Sequence, residues 1–152
     1  MKNRRDTLKQ SAILAGLALS TSLLPLAASA DFNKAAFEAK SINDALKAMG
    51  SSAPVESRDV TITAPDIAEN GAVVPLGVSS SLPGIKQMVI LVEKNPAALI
   101  AIFNVTDSID TNFSTRAKMG QSSDVYAVAV MADGRALFAK KEVKVTLGGC
   151  GG

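Results

Sequence analysis

Beyond Pro54 the hydrophobic pattern changes period, from the 3.6 of a helix to the two of a strand, and it does not change back. Val60-Thr61-Ile62 alternates in the manner of a half-buried strand. Residues 72–78 form a second candidate, with Pro75 inside it. Proline has no N–H to give a ladder, so Pro75 predicts an edge or a bulge. Residues 88–92 are continuously apolar, which fits a strand covered on both faces, and residues 98–103 are similar. Residues 113–119 are weaker, with small and basic side chains interleaved. Residues 125–131 alternate, Asp133-Gly134 is a tight-turn signal, and residues 136–139 follow it. Residues 143–147 end the pattern with a clean inward and outward alternation. About seven or eight short strands result, joined by connections such as Glu93-Lys94-Asn95-Pro96. These connections leave no room for crossover helices. The predicted fold is mainly β: an antiparallel, immunoglobulin-like β-sandwich. It lacks the intersheet disulfide and core Trp of antibody domains, since the chain has one Cys and no Trp.

Before Pro54 the pattern is helical. In residues 31–49, Ile42, Ala45, Leu46 and Met49 recur at helical spacing. Ser41 and Asp44 resemble a capping box, which predicts a break or second start at Ser41. Gly50 is placed to end the helix, and residues 51–54 continue as linker.

The first thirty residues have the order of an export leader. Arg4 and Arg5 lie in a basic segment followed by Leu8 and Lys9, as in a twin-arginine signal. Thr7 stands where that signal usually carries Phe, so Sec export is the alternative route. Residues 11–26 are mostly apolar but short for a spanning helix, so no stable membrane anchor is expected. Ala28-Ser29-Ala30 forms a cleavage triplet, with Ala28 and Ala30 as its small residues. Three segments follow: a leader over 1–30, a β-sandwich with an N-terminal helix over 31–147, and a terminal arm over 148–152. The chain has 16 Lys and Arg against 14 Asp and Glu. The leader holds four basic residues and one acid, which leaves 12 against 13 and a net charge of −1. No basic excess remains to hold a phosphate backbone, so nucleic acid is not an expected partner.

Composition then removes most chemistry. The chain has no His, which excludes Ser-His-Asp and Cys-His nucleophile pairs and His-ligated zinc or haem. A single Cys excludes a C-x-x-C motif and an iron–sulfur cluster. No Gly-rich phosphate cradle is present. Asp107 and Asp110 are read as turn-formers of a solvated loop rather than a calcium site. No cofactor and no metal are expected, and no catalytic residue is assigned.

What remains is Cys150, the one strong nucleophile, set between Gly148-Gly149 and Gly151-Gly152. Nothing in this tail supplies a cation to lower the thiol's pKa, so activation has to come from a partner's site. Glycine has no Cβ and gives the segment freedom and a thin cross-section. Three residues at ~3.3–3.6 Å each carry Cys150 roughly 10 Å beyond Leu147. An exported chain meets an oxidising compartment, where an odd Cys points to intermolecular pairing or a free reactive thiol. From chemistry alone a covalent substrate carrier and an interchain disulfide both stay open. Lipidation fits less well: Leu147-Gly148-Gly149-Cys150 has the form of a lipobox, but that motif belongs at the end of a leader.

Several segments resemble one family. They are Glu69-Asn70-Gly71-Ala72-Val73-Val74-Pro75, Glu93-Lys94-Asn95-Pro96, Thr115-Arg116, Ala127-Val128-Ala129 and Met131-Ala132-Asp133-Gly134. The most specific is Glu142-Val143-Lys144-Val145-Thr146-Leu147-Gly148-Gly149-Cys150-Gly151-Gly152. With these the chain resembles the SoxY family, the sulfur-carrier subunits of the bacterial thiosulfate-oxidising Sox system. The resemblance implies a non-enzymatic periplasmic carrier with sulfur intermediates attached to Cys150. It implies a heterodimer with SoxZ, itself a smaller β-sandwich without a leader, which would be co-exported. It further implies transient contacts with SoxAX, which would join thiosulfate to Cys150, and with SoxB, which would release sulfate. Sulfur dehydrogenase, where present, would oxidise the remaining sulfane sulfur. Gly148, Gly149, Gly151 and Gly152 would form the flexible arm. The turns at Asn95-Pro96 and Asp133-Gly134 would be structural.

Overall fold

The computed structural model describes residues 33–146. The leader residues Arg4, Arg5, Ala28 and Ala30 and the arm with Cys150 lie outside the described residues. Two short helices come first, α1 (Lys34–Glu38) and α2 (Ile42–Ala48). Nine strands follow: β1 (Val55–Glu56), β2 (Val60–Thr63), β3 (Ile67–Ala68), β4 (Val74–Ser80), β5 (Ile85–Val92), β6 (Leu99–Asn104), β7 (Asn112–Ala117), β8 (Ser123–Met131) and β9 (Ala136–Val145).

The break expected at Ser41 is where the helical segment divides. The Ser41 hydroxyl accepts from the Asp44 amide at 3.1 Å and donates to the Asp44 carboxylate at 2.6 Å. Asn33 caps α1 and its side-chain amide donates to the Ala48 carbonyl at 3.0 Å, which ties the two helices together. Gly50 ends α2 at φ +75°, with its own N–H on Lys47 O and that of Ser51 on Leu46 O. This is a Schellman closure, and the positive φ is why glycine stands there. Replacing Ser41 by Ala is expected to destabilise the protein by about 1 kcal/mol, measured by urea unfolding, with little change at the sheet.

One sheet runs β1-β9-β8-β5-β6, with β3 also on β9, and the other runs β2-β4-β7. The two face each other across the main core. Val60, Val74, Leu76 and Val78 of the small sheet pack against Met88, Ile90, Val125, Ala127 and Val143 of the large one. The opposite face of the large sheet carries Val89, Leu91, Val128 and Val130, which the helices cover with Ala36, Ala45 and Leu46. Strands β5 and β8 are thus buried on both faces, which explains the unbroken apolar run at 88–92. The immunoglobulin-like sandwich is therefore as expected, with the helices as a third layer on one side.

Three local expectations are corrected. Strands β1 and β3 pair with β9 in parallel, so the large sheet is not purely antiparallel. Strand β4 is central rather than an edge, and no bulge interrupts its ladder with β7. Pro75 is tolerated because β2 overlaps only Gly77–Ser80, which leaves Pro75 with β7 alone as neighbour. Finally, the two strands expected at 136–139 and 143–147 are one ten-residue strand. The charged run Lys140-Lys141-Glu142 does not break it, because Lys141 lies along the inner edge and sends its ammonium to Ala64 O at 2.6 Å and to Asp66 at 2.9 Å. A lysine stem can occupy an inward position when its charged end reaches a partner.

Candidate functional site

The sole sequence-assigned attachment residue, Cys150, lies outside the described residues, and so do Gly148, Gly149, Gly151 and Gly152. What the structure gives is the root from which that segment departs. Strand β9 delivers it. Val143 is fully buried in the intersheet core and Val145 packs against the same core. The backbone on either side is held by groups from two other segments. The Val145 N–H donates to the Ser122 hydroxyl at 2.9 Å. The Lys144 N–H donates to Asp66 O at 3.0 Å and the Thr146 N–H to Ala68 O at 3.1 Å. The Thr146 hydroxyl donates to Glu69 O at 3.0 Å. Four hydrogen bonds over three residues thus fix the chain up to Thr146.

Each anchor has its own support. Asn70 accepts from the Ala72 N–H at 2.8 Å, an Asx-type turn that shapes the segment after Glu69. Gly71 O accepts from the Met119 N–H at 2.7 Å, and Met119 is fully buried. The Glu69–Pro75 stretch, whose first residues, 69–71, stand out in the sequence only by resemblance, therefore lies beside the root. Its role as an anchor had no periodic signal, because β3 is two residues long and pairs in parallel. Ser122 carried no signal either. Replacing Ser122 by Ala should leave the Val145 N–H unpaired, with a loss of about 1 kcal/mol and faster amide exchange at Val145. Unchanged exchange at Val145 would rule out that anchor.

The perturbed ionisable groups lie elsewhere. Partial burial pushes the Tyr126 hydroxyl above its ordinary range, with Glu93 and Asp124 acting in the same sense and Lys140 against it. Tyr126 packs on Phe138 with ring centroids 5.5 Å apart. The hydrogen bond to Asp124, at 3.4 Å, raises Lys140. At the β8–β9 turn, the Arg135 N–H and then its guanidinium hold the exposed Asp133 carboxyl below its usual range. That turn is closed by Gly134 at φ +87°, as the Asp-Gly pair led one to expect. None of these is a nucleophile paired with a base. Among the described residues, no three His, Cys, Asp or Glu side chains lie close enough to hold a metal ion. Asp107 and Asp110 are both exposed on the β6–β7 connection. No described helix is long and apolar enough to cross a membrane.

The family model described as "Sulfur oxidation protein SoxY" matches residues 45–150, which takes in both the root and Cys150. Among solved structures, the sulfur carrier protein SoxY from Chlorobium limicola f thiosulfatophilum is similar at 36% identity and a TM-score of 0.62. The match covers 69% of this chain and 96% of that one. Two variants of the superoxide reductase neelaredoxin from Ignicoccus hospitalis have TM-scores of 0.50 at 18% and 17% identity. They cover 57% and 67% of this chain and 78% and 86% of theirs, a likeness of fold alone. A search of curated proteins gave no match. On the family match and the similarity to a solved sulfur carrier, the chain belongs to the SoxY family, whose members carry sulfur rather than act as catalysts.

Proposed function

We propose that this chain carries thiosulfate-derived sulfur on Cys150 through successive steps of thiosulfate oxidation. The observation that supports it most is a lone thiol between glycine pairs, four residues beyond a root pinned by four hydrogen bonds. The reaction first joins the Cys150 thiolate to the outer sulfur of thiosulfate, giving a protein–S–S–sulfonate and releasing two electrons. Those electrons need an acceptor, which the haem partner SoxAX would supply. Water then attacks the sulfonate sulfur at SoxB. The bond between the sulfane sulfur and the sulfonate sulfur breaks with its electron pair going to the sulfane sulfur, sulfate leaves with the water oxygen, and a persulfide remains on Cys150. Sulfur dehydrogenase, where present, would oxidise that persulfide sulfur further.

In this reading the chain supplies attachment and reach, and its partners supply catalysis. Its stable partner is SoxZ, and it works in the periplasm after export by the twin-arginine route, with Sec the alternative. That route moves folded complexes, which would let a leaderless SoxZ travel with this chain. The test is intact-mass measurement after incubating the SoxZ complex with thiosulfate, SoxAX and an electron acceptor. The expected result is added mass on this chain that thiol reductants remove. Turnover with no added mass would overturn the reading.

A further inference from the structure

Residues 118–122, Lys-Met-Gly-Gln-Ser, join β7 to β8. A connection has no ladder of its own, so other groups must set its shape. This one is held at three places. The Met119 N–H donates to Gly71 O at 2.7 Å, beneath a fully buried side chain. The Asn95 side-chain amide donates to Lys118 O at 2.7 Å. The Lys94 N–H donates at 3.0 Å to the hydroxyl of Ser123, which itself donates to Asp124 O at 3.0 Å. Lys94 and Asn95 both belong to the turn between β5 and β6. That turn thus grips the connection at its first residue and just past its last.

Both supports of the arm root pass through this connection. Ser122 takes the Val145 N–H on its hydroxyl. Gly71, which holds Met119, lies two residues past Glu69, whose carbonyl takes the Thr146 hydroxyl. Asn95 is the outermost member of the set. It is half-buried, and its carboxamide makes no other hydrogen bond among the described residues. The turn does not need that carboxamide to close. Its backbone already does so, with the Asn95 N–H on Val92 O at 3.3 Å and the Val92 N–H on Ala98 O at 2.8 Å. Pro96 disfavours a helical backbone at the residue before it, which restricts where the Asn95 side chain can point. Asn95-Pro96 thus does more than turn the chain: it reaches across to the element that carries Ser122.

We infer that Asn95 is a positioning residue for the delivery of Cys150: its carboxamide holds Lys118, which keeps Ser122 under the Val145 N–H and so keeps the end of β9 closed. This rests on the carrier reading above. Without the bond at Lys118 the connection is loose at its first residue, and Gly120 lets the displacement reach Ser122. The last residues of β9 then open more often. Each opening lengthens the tether between the folded body and the thiol. The effective concentration of a tethered group falls roughly as the −3/2 power of tether length, so a tether about twice as long delivers about threefold more slowly. Asn95 touches neither Cys150's neighbours in sequence nor β9 itself, and its influence on delivery runs through Ser122 alone.

Amide hydrogen exchange on the full chain, with single-turnover loading of its SoxZ complex by SoxAX, tests this. Asn95→Ala removes the donor, and Asn95→Asp keeps the size but turns a carboxylate oxygen on the Lys118 carbonyl. For both, exchange at Val145 should be about fivefold faster, with Val89 and Ile90 in the central strand β5 unchanged. Loading should slow about threefold, while alkylation of Cys150 by a small reagent stays within about twofold. In a Ser122→Ala background, Asn95→Ala should add nothing at Val145, because the hydroxyl through which it acts is gone. A full additive effect there would overturn the proposal, as would Val145 exchange unchanged in both variants. Faster exchange throughout β5 would make Asn95 merely structural, and faster exchange at Val145 with normal loading would remove its part in delivery. Each of these results leaves the carrier reading intact, provided the unaltered chain takes up its adduct. An unaltered chain that takes up none would overturn the carrier reading and the delivery role with it.

Discussion

Replacing Cys150 by Ser is expected to abolish the thiosulfate-derived adduct altogether and to reduce turnover by the reconstituted system to background. A serine hydroxyl cannot form the S–S bond on which the later steps depend, and it is not ionised to a useful extent near neutral pH. Cys150 is the only cysteine in the chain, so no second thiol can substitute. Ser is close to Cys in size, and the two core clusters are built without Cys150, so folding should not change. Unfolding by urea should therefore give the same midpoint for both forms. The rival use of the thiol, a structural disulfide between two chains, makes the opposite forecast. There the working species would be a covalent dimer on a non-reducing gel, and loss of the dimer would cost stability. A Cys150→Ser variant that still turned over thiosulfate would sink the carrier assignment.

The parts of the fold visible in the sequence are those where burial imposes a pattern. Strand β5 reads as apolar throughout because both faces are covered, by the small sheet and by Leu46 and its neighbours on α2. Ser41, Gly50 and Gly134 were visible because caps and tight turns restrict residue type strongly. The parts that were hidden lack such a constraint. Strands β1 and β3 have two residues each, too few to show a period, and their place beside β9 is set by parallel pairing at a distance in sequence. Pro75 misled because proline excludes a strand only where its missing N–H would be used, and β2 stops short of it. Strand β9 was split because Lys141 occupies an inward position that a polarity pattern counts as outward.

The candidate site divides in the same way. Cys150 is singled out by elimination alone, since a chain without His and with one Cys leaves few reactive groups, and it lies outside the described residues. The root was not legible. Ser122, Ala68 and Glu69 act there through a hydroxyl and two carbonyls, and a carbonyl is present at every residue. Only the fold shows which of them meet the chain at Val145 and Thr146. The root also gives the end of the fixed strand a physical definition: four hydrogen bonds hold the chain as far as Thr146.

That definition leads to the second large effect. Replacing both Gly148 and Gly149 by Pro should lower turnover by about 100-fold at unchanged stability. Proline fixes φ near ~−65° and restricts the residue before it as well, so two in succession remove most of the choices open to the segment. Loading and hydrolysis both require the sulfur of Cys150 to reach reacting distance in different enzymes. A misplacement of about 1 Å at a reacting centre can cost about 100-fold, and a stiff arm cannot correct it in every site. The pinned root sharpens this forecast, because the four hydrogen bonds before Leu147 prevent β9 from shifting to compensate. Single-turnover loading by SoxAX and sulfate release by SoxB should each be measured. A chemical defect in the thiol would lower its reaction with a small alkylating reagent as well, so that rate serves as the control and should stay within about twofold. Full activity with every partner would show that glycine is present at 148 and 149 for some reason other than conformational freedom.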